Sequence, residues 1–466
     1  MAKIFLYGGS FNPPCEHHRA VVKEVLRTAD AGDRVIIVPS GPRPDKPTNN
    51  DIDPIHRAAM CVLGFNGIDR RVRVHVFDLE NDEFTRTHAL DEMYAGLGEV
   101  WHVVGTDLLY GECRGVCTIR ECWRNGRELW NTLKFVIAVR EGSRADLHDL
   151  PLHHRIICPK NSGSSENVRR RIANHESIAG FLAPAVEAYI ERHKLYREEP
   201  YSRFPLFGVT EPRIIIGVDI RNSTAMALAK RFSAYRTSDL CYANMIVSIG
   251  GDGTMLRSIR EWSQLKIPFL GINAGHTGFL LNEFPEGGNP AGFLSQIFEV
   301  AWCPLLHVET IASSRSNPRV QAFNDAWMQV RSGSMGWFEL KIDGIVRHPH
   351  LMGDAILVAT AAGSTGYAYN MGIDPVELGS STLTIAGSNM VRAHNWKGEH
   401  INGGSVVEIS AKDASGWRRL YGFADGRELG EVISMKVRRS RTAAAELLFT
   451  SGWEVRRRRS LRSASV

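Results

Sequence analysis

Two stretches of the chain gather residue types that can do chemistry. The first, "LYGGSFNPPCEHH" (Leu6 to His18), sets two glycines, a cysteine and two histidines where an apolar run meets a helical pattern. The second, "NMIVSIGGDGTMLRSIR", sets Gly250, Gly251, Asp252, Gly253 and Thr254 at the same kind of junction. Glycines after a strand let backbone N–H groups approach an anion, and the helix that follows adds positive potential at its start. Imidazoles at that entrance can donate to phosphate oxygens. The first stretch therefore admits a metal site, a thiol nucleophile or a phosphate cradle, with a plain tight turn as the bland alternative. No further ligand spacing supports metal: Cys113, Cys117 and Cys122 lack the paired two-residue spacing of zinc sites. In the second stretch a carboxylate among phosphates is electrostatically costly unless it has a task. Asp252 either accepts a proton from an attacking hydroxyl or holds Mg²⁺.

Such turns must be set by the strands and helices around them. The chain has 466 residues, enough for two domains, with 43% hydrophobic and 23% charged residues, as expected of a soluble globular protein. No apolar run approaches the roughly 20 residues of a membrane span, and the N-terminus does not read as a signal peptide, so the cytoplasm is the expected location. A formal net charge of +5 suits anionic small molecules and requires neither nucleic acid nor membrane as a partner. In the first part, strands "KIFLYGG", "RVIIVPSG", "RVRVHVFDLE", "EVWHVVGTDLL" and "LKFVIAVREG" alternate with helix-length segments. Val21, Val22, Val25 and Leu26 fall on one helical face. That alternation predicts an α/β fold, a doubly wound parallel sheet whose ligands sit at the C-terminal strand ends. The stretch "REEPYSRFPLFGVTEP" has no clean period and reads as a linker. A second α/β lobe then starts at "RIIIGVD", with a helix around 225–232, and a β-rich lobe follows from about Leu306. The expected organisation is a first domain over 1–197, a linker over 198–212, a second domain over 213–455 and a basic tail over 456–466 carrying Arg456 to Arg459.

"GGSFNPPCEHH" resembles the phosphate-binding motif of nucleotidyltransferases, and is most similar to nicotinamide or nicotinate mononucleotide adenylyltransferases. "VVGTDLL", "ECWRNGRELWNTLKFVIAVREG", "GSSENVRRRI" and "FLAPAVEAYIERHKLY" resemble that family's later segments in the expected order, over roughly the first 195 residues. The resemblance implies a Rossmann-like nucleotidyltransferase domain. It implies ATP contacts at Gly8, Gly9, Ser10, Phe11, Cys15, His18, Ser164, Ser165 and Arg169, with His18 and Arg169 catalytic. Lys46, Arg57, Asp107 and Trp123 are the candidates for the mononucleotide. The chain departs from the pattern at Cys15, where the family has His or Thr, at His17, where Gly is common, and at Glu166, where Thr is usual. Glu166 brings negative charge towards a triphosphate, and either faces solvent or helps hold Mg²⁺. The implied reaction needs no general base, because a mononucleotide phosphate is largely dianionic near neutral pH and attacks the α-phosphorus of ATP directly.

"IGGDGT" resembles the NAD kinase superfamily, and "GINAGHTGFL", "FNDAWM", "GDAILVATAAGSTGYAYNMGID" and "FADGRELG" are similar to the motifs of NAD kinases themselves, over roughly 213–455. The resemblance implies contacts to NAD and ATP at Gly250, Gly251, Asp252, Gly253, Thr254, Asn273, Phe279, Asn324, Asp325, Asp354, Thr365, Gly366 and Tyr367. Gly366 stands where Ala is usual. The nucleophile in such kinases is a ribose 2′-hydroxyl, for which a base is useful, and Asp252 is the candidate.

The product of the first implied reaction, NAD, is the substrate of the second. The expectation is a bifunctional enzyme of NAD and NADP synthesis that takes mononucleotide, ATP and NAD, and uses ATP as co-substrate with Mg²⁺ or another divalent metal. No metal ligands are assigned, and self-association is expected through the kinase half. Three rivals remain: a kinase with a degenerate regulatory first domain, a first domain acting on pantetheine phosphate or a cytidylyl substrate, and a dinucleotide sensor with no turnover.

Overall fold

A computed structural model of the chain describes residues 2–43, 52–110, 117–139, 149–160, 163–197, 205–275, 278–312, 319–331, 335–391, 396–412 and 419–453. The chain divides into two compact units, Met1–Tyr201 and Ser202–Val466. No helix among the described residues is long and apolar enough to cross a membrane.

In the first unit β1 (Lys3–Gly9) runs to the two glycines and α1 (Glu16–Thr28) follows. Then come β2 (Arg34–Pro39), α2 (Pro54–Phe65), β3 (Val72–Val74), α3 (Phe77–Asn81), α4 (Thr87–Ala95), β4 (Glu99–Gly105), α5 (Thr106–Tyr110), α6 (Gly126–Thr132), β5 (Lys134–Ala138), β6 (His153–Ile157), α7 (Ser165–Ala173) and α8 (Pro184–Arg192). The strands form one parallel sheet in the order β3-β2-β1-β4-β5-β6. Alternation along β1 explains why both faces are covered. Phe5 packs with Val21, Val22 and Val25 of α1 on one side, while Ile4 and Leu6 pack with Leu90 and Tyr94 of α4 on the other. One expected strand is cut short. "RVRVHVFDLE" is extended only over β3, at the sheet edge, and Phe77–Asn81 then turns helical. That turn lets the Asp78 carboxylate, 1% exposed, collect the N–H and hydroxyl of Thr85. Strand β6 has no counterpart among the expected strands.

The second unit opens with β7 (Leu206–Phe207), β8 (Ile214–Val218), α9 (Ser223–Arg231), β9 (Met245–Gly250), α10 (Asp252–Trp262), β10 (Phe269–Asn273) and α11 (Pro290–Leu294). Strands β8, β9 and β10 are parallel and almost wholly apolar, as strands buried on both faces must be. Part of the stretch expected as linker belongs here: β7 pairs antiparallel with the strand Phe298–Ala312 through Phe207 and Phe298, and Phe207 is buried in the core of this lobe. Residues 198–204 of that linker, and the basic tail 456–466, lie outside the described residues.

The β-rich lobe comprises β11 (Phe298–Ala312), β12 (Arg319–Ala322), β13 (Asp325–Val330), β14 (Gly336–Ile342), β15 (Ile345–Gly353), β16 (Ala355–Ala359), α12 (Tyr367–Asn370), β17 (Leu383–Ser388), β18 (Gly398–Ile401), β19 (Val407–Ala411), β20 (Leu420–Ala424) and β21 (Arg427–Phe449). "FELKIDGIVRH" is a hairpin of β14 and β15. Asp343 and Gly344 both take positive φ (52° and 76°), the turn that matches the twist of paired strands. Strand β21 pairs antiparallel with β11 from Phe449 to Val432 and parallel with β10 at Leu447, so it joins the two lobes.

Candidate nucleotide sites

The first site is built on the turn after β1. Phe11 has a left-handed backbone, φ 45°, and its buried ring meets Tyr7, His18 and Phe65 edge-on at centroid distances of 5.3, 5.0 and 5.2 Å. A Cβ on Gly9 would lie 2.9 Å from that ring, so glycine is required for the approach. The carbonyls of the turn are tied to side-chain donors: Arg57 Nη2 to Ser10 (2.7 Å), Arg169 Nη1 to Asn12 (2.6 Å), and Ser165 Oγ (2.8 Å) and Cys15 Sγ (3.3 Å) to Pro13. Occupied carbonyls make the turn electropositive towards a ligand.

His18 is the third residue of α1, and its Nδ1 accepts from the Cys15 backbone N–H at 3.0 Å. An N–H can only donate, so the neutral ring carries its proton on Nε2, which is then a donor. The imidazole of His17 lies against that of His18, with centroids 3.8 Å apart. Ser164 caps α7, accepting from Asn167 N–H at 3.1 Å.

A cavity of about 1000 Å³ joins these elements. Of the residues expected from the sequence, Gly8, Gly9, Ser10, Phe11, His18, Ser164, Ser165, Arg169, Asp107 and Trp123 line it, and so does Glu166, which is exposed. Two expected contacts are not in it. Cys15 is 2% exposed and its sulfur is turned into the core with Ala59, Met60 and Val168, donating to the Pro13 carbonyl at 3.3 Å. Arg57 is 1% exposed, and its guanidinium is committed to the carbonyls of Ser10 and Ser40. It holds the floor of the turn. Lys46 lies outside the described residues.

Donor atoms of Cys15, His17 and His18 come within 4.8 Å of one another, a spacing compatible with a metal. The chemistry of the set does not fit one. Burial pushes the Cys15 thiol up to about 12, and the His18 Nδ1 lone pair is held by a backbone N–H.

Sequence reasoning missed the wall of the cavity contributed after β2 and β3: Arg43, Asp78, Phe84, Thr85, Arg86 and His88, together with His102 on β4. The Asp78 carboxyl, raised by burial, anchors Thr85, and the Arg43 guanidinium lies 5.4 Å over the Phe84 ring. His102 is paired with Asp91 at 2.9 Å. The stretch after β3 has no glycine of its own, though Gly41 after β2 packs against it, where a Cβ would meet the Glu83 carbonyl at 2.0 Å. Only its place at a C-terminal strand end could have flagged it.

The second site begins at the end of β9. Gly250 has φ 156°, and a Cβ there would meet Thr254 Oγ1 at 2.6 Å. Asp252 opens α10, and its carboxylate accepts from the N–H of Phe279 at 2.9 Å and of Leu280 at 3.0 Å. The glycine turn and the segment after β10 are thus brought together. Asn273 instead bonds Glu283 and the N–H of Gly275.

Asn324 and Asp325 meet the late Asp425. The Asp425 carboxylate accepts from Phe323 and Asn324 N–H, both at 2.7 Å. Asn324 Oδ1 is buried with no hydrogen-bond partner among the described residues. Thr360, at the end of β16, binds the carbonyls of Phe323 and Asn324, which places the turn carrying Thr365, Gly366 and Tyr367 beside them. Burial and the neighbouring Asp425 raise the Asp325 carboxyl to about 7, and burial raises Asp425 as well. Arg260, two turns along α10 from Asp252, acts on Asp425 in the opposite sense. Asp354 is not brought to this cluster. It precedes the far end of β16 and is held by Asn389 Nδ2 at 2.5 Å.

Two glycine-lined turns, each leading from a parallel strand into a helix, have the geometry of phosphate-binding turns. Residues 6–171 match the family described as cytidylyltransferase-like, and residues 223–299 match the ATP-NAD kinase N-terminal domain. The chain is 30% identical over 226 residues to an NAD kinase of Cereibacter sphaeroides (strain ATCC 17029 / ATH 2.4.9), covering 48% of this chain and 88% of that one. It is 29% identical over 221 residues to the NAD kinase of Zymomonas mobilis, covering 46% and 83%. Among solved structures it is similar to an Archaeoglobus fulgidus NAD kinase in complex with ATP, with 22% identity, TM-score 0.41, and 54% and 98% of the two chains covered. Through its second unit the chain belongs to the NAD kinase family, and it carries a cytidylyltransferase-like domain ahead of it. It is a transferase with a kinase part and a nucleotidyltransferase part.

Proposed function

We propose that the chain catalyses two successive ATP-dependent steps: adenylyl transfer to nicotinamide or nicotinate mononucleotide, then phosphorylation of the resulting NAD at the adenosine 2′-hydroxyl. The observation that carries the first step is the cavity. It holds the phosphate turn, the His18 donor and the α7 start, and has room for two nucleotides, in the same chain as a kinase that would use the product. In this reading His18 Nε2 and Arg169 bear on the charge that develops as pyrophosphate leaves, and the mononucleotide phosphate attacks unaided. Trp123 is the candidate stacking surface for a base.

In the second step Asp252 takes the proton of the 2′-hydroxyl. Asn324 Oδ1 is an acceptor waiting for a ribose hydroxyl, and Asp325 can donate or accept beside it. A magnesium-type ion, which would neutralise phosphate charge when bound, fits the oxygen donors on hand: Asp107 and Glu166 in the first site, and in the second Asp252 at its glycine turn. Self-association through the second unit belongs to the same proposal. The rival regulatory reading of the first unit keeps its motives in Cys15, whose sulfur bonds the Pro13 carbonyl outside the cavity, and in Glu166. Incubating the chain with each mononucleotide, ATP and Mg²⁺, and resolving NAD-type from NADP-type products, tests both steps. NADP formed from supplied NAD, without NAD formed from mononucleotide, would leave only the kinase.

A further inference from the structure

The phosphate turn of the first unit is also held from that unit's last described segment. Tyr196 Oη donates to Asn12 Oδ1 at 2.6 Å, and the same hydroxyl lies 3.9 Å from Met60 Sδ. Asn12, 2% exposed, sits between the two residues whose carbonyls are tied to Arg57 and Ser165, and its own carbonyl is tied to Arg169.

The chain is contorted to make this contact. After α8 ends, Lys194 and Tyr196 both adopt positive φ, 48° and 65°, and neither is glycine. A bulky residue in that region persists only where its surroundings over-determine it. Leu195, 3% exposed, is pinned in the core between them, and the Tyr196 hydroxyl is pinned on Asn12. Burial raises the phenol well above its usual range, so it stays protonated and donates.

We propose that Tyr196 is a positioning residue for the first reaction: through Asn12 it fixes the turn that receives the phosphates of ATP. The inference rests on the adenylyl-transfer reading. A tyrosine that merely filled space would affect stability and leave the kinetics of one substrate no different from the other.

The test is Tyr196→Phe in the full chain, which removes one oxygen and keeps the ring. Loss of one buried hydrogen bond should lower kcat/KM for ATP in pyrophosphate release roughly five- to tenfold. KM for mononucleotide, which reports folding of the first unit, should stay within about twofold, and kinase turnover of the same sample, which reports the amount of intact chain, should be unchanged. In an Asn12→Ala background Tyr196→Phe should add nothing. An unchanged kcat/KM for ATP, or effects of the two substitutions that multiply, overturns the proposal. If the wild type releases no pyrophosphate, the adenylyl-transfer reading falls instead. Hydrogen exchange of the 8–14 backbone then decides: faster exchange in Tyr196→Phe supports the tether, and equal exchange overturns it.

Discussion

Asp425 and Asp325 are locked to each other through the backbone: the Asp425 N–H donates to the Asp325 carbonyl at 2.9 Å, and the Asp325 N–H donates to the Asp425 carboxylate at 3.3 Å. Two carboxyl groups are thereby held in one buried pocket, where both cannot ionise cheaply. Asp325 titrates at about 7 in the folded protein, against about 3.9 unfolded. Between those values the folded protein binds more protons than the unfolded chain, so stability falls as pH rises from about 4 to about 7, then levels off. One proton corresponds to at most about 1.4 kcal/mol per pH unit. The melting temperature of the second unit should therefore drop by roughly 5–10 °C between pH 5 and pH 8, and Asp325→Asn should show less than half that drop. Equal pH dependence in the two proteins would contradict the assignment.

Asp252 holds two backbone N–H groups with the carboxylate proposed to take the substrate's proton. Asp252→Asn keeps one oxygen for that clamp and cannot act as a base. NADP formation should fall by roughly 10²- to 10⁴-fold, with NAD still bound and pyrophosphate release by the first unit intact. If NAD binding disappears together with turnover, the clamp on Phe279 and Leu280 is the residue's main task.

His18 has two separable roles. Nδ1 accepts the Cys15 N–H, and Nε2 is aimed elsewhere as a donor. His18→Ala should slow adenylyl transfer about 5- to 150-fold, the range for one lost hydrogen bond to a charged partner. His18→Asn can restore the acceptor at the helix start without restoring the distant donor, so it should recover thermal stability and not activity. Recovery of both would remove the donor role.

Cysteine reactivity maps the first site directly. Cys15 and Cys61 are buried, each with a thiol raised by desolvation to about 12, while Cys122 and Cys158 are exposed. Iodoacetamide should label the exposed pair in the native protein and spare the buried pair. Cys122 lines the cavity and Cys158 does not, so saturating ATP should slow labelling of Cys122 alone, as read by peptide mass spectrometry. Equal protection of both would place the nucleotide elsewhere.

The phosphate turns were legible because their signals are local. Glycine follows an apolar strand, and an amphipathic helix follows glycine, so Gly8, Gly9 and His18, and Gly250 and Asp252, could be placed without knowledge of the fold. What a motif cannot report is which way a side chain faces once the turn closes. Cys15 and Arg57 stand at motif positions and point into the core, a choice made by the space beside Met60 and by the carbonyls of Ser10 and Ser40. The partnership of Asp325 with Asp425 was out of reach for a different reason: it depends on β13 and β20 being neighbours, and that register is a tertiary fact. The wall from Phe84 to His88 has no local signature, because the buried Asp78 and the distant Gly41 shape it.

Strand β21 is 23 residues long and β11 is 15, and they pair in both lobes of the second unit. Such a ribbon works as a splint. Two lobes joined by a flexible connection can swing shut on a substrate, whereas two lobes that share a splint cannot swing without shearing a ladder of backbone hydrogen bonds. The widest interruption of that ladder lies between the cores of the two lobes, where residues 440–443 of β21 face Leu305 alone, so any movement of one lobe against the other is concentrated at this joint.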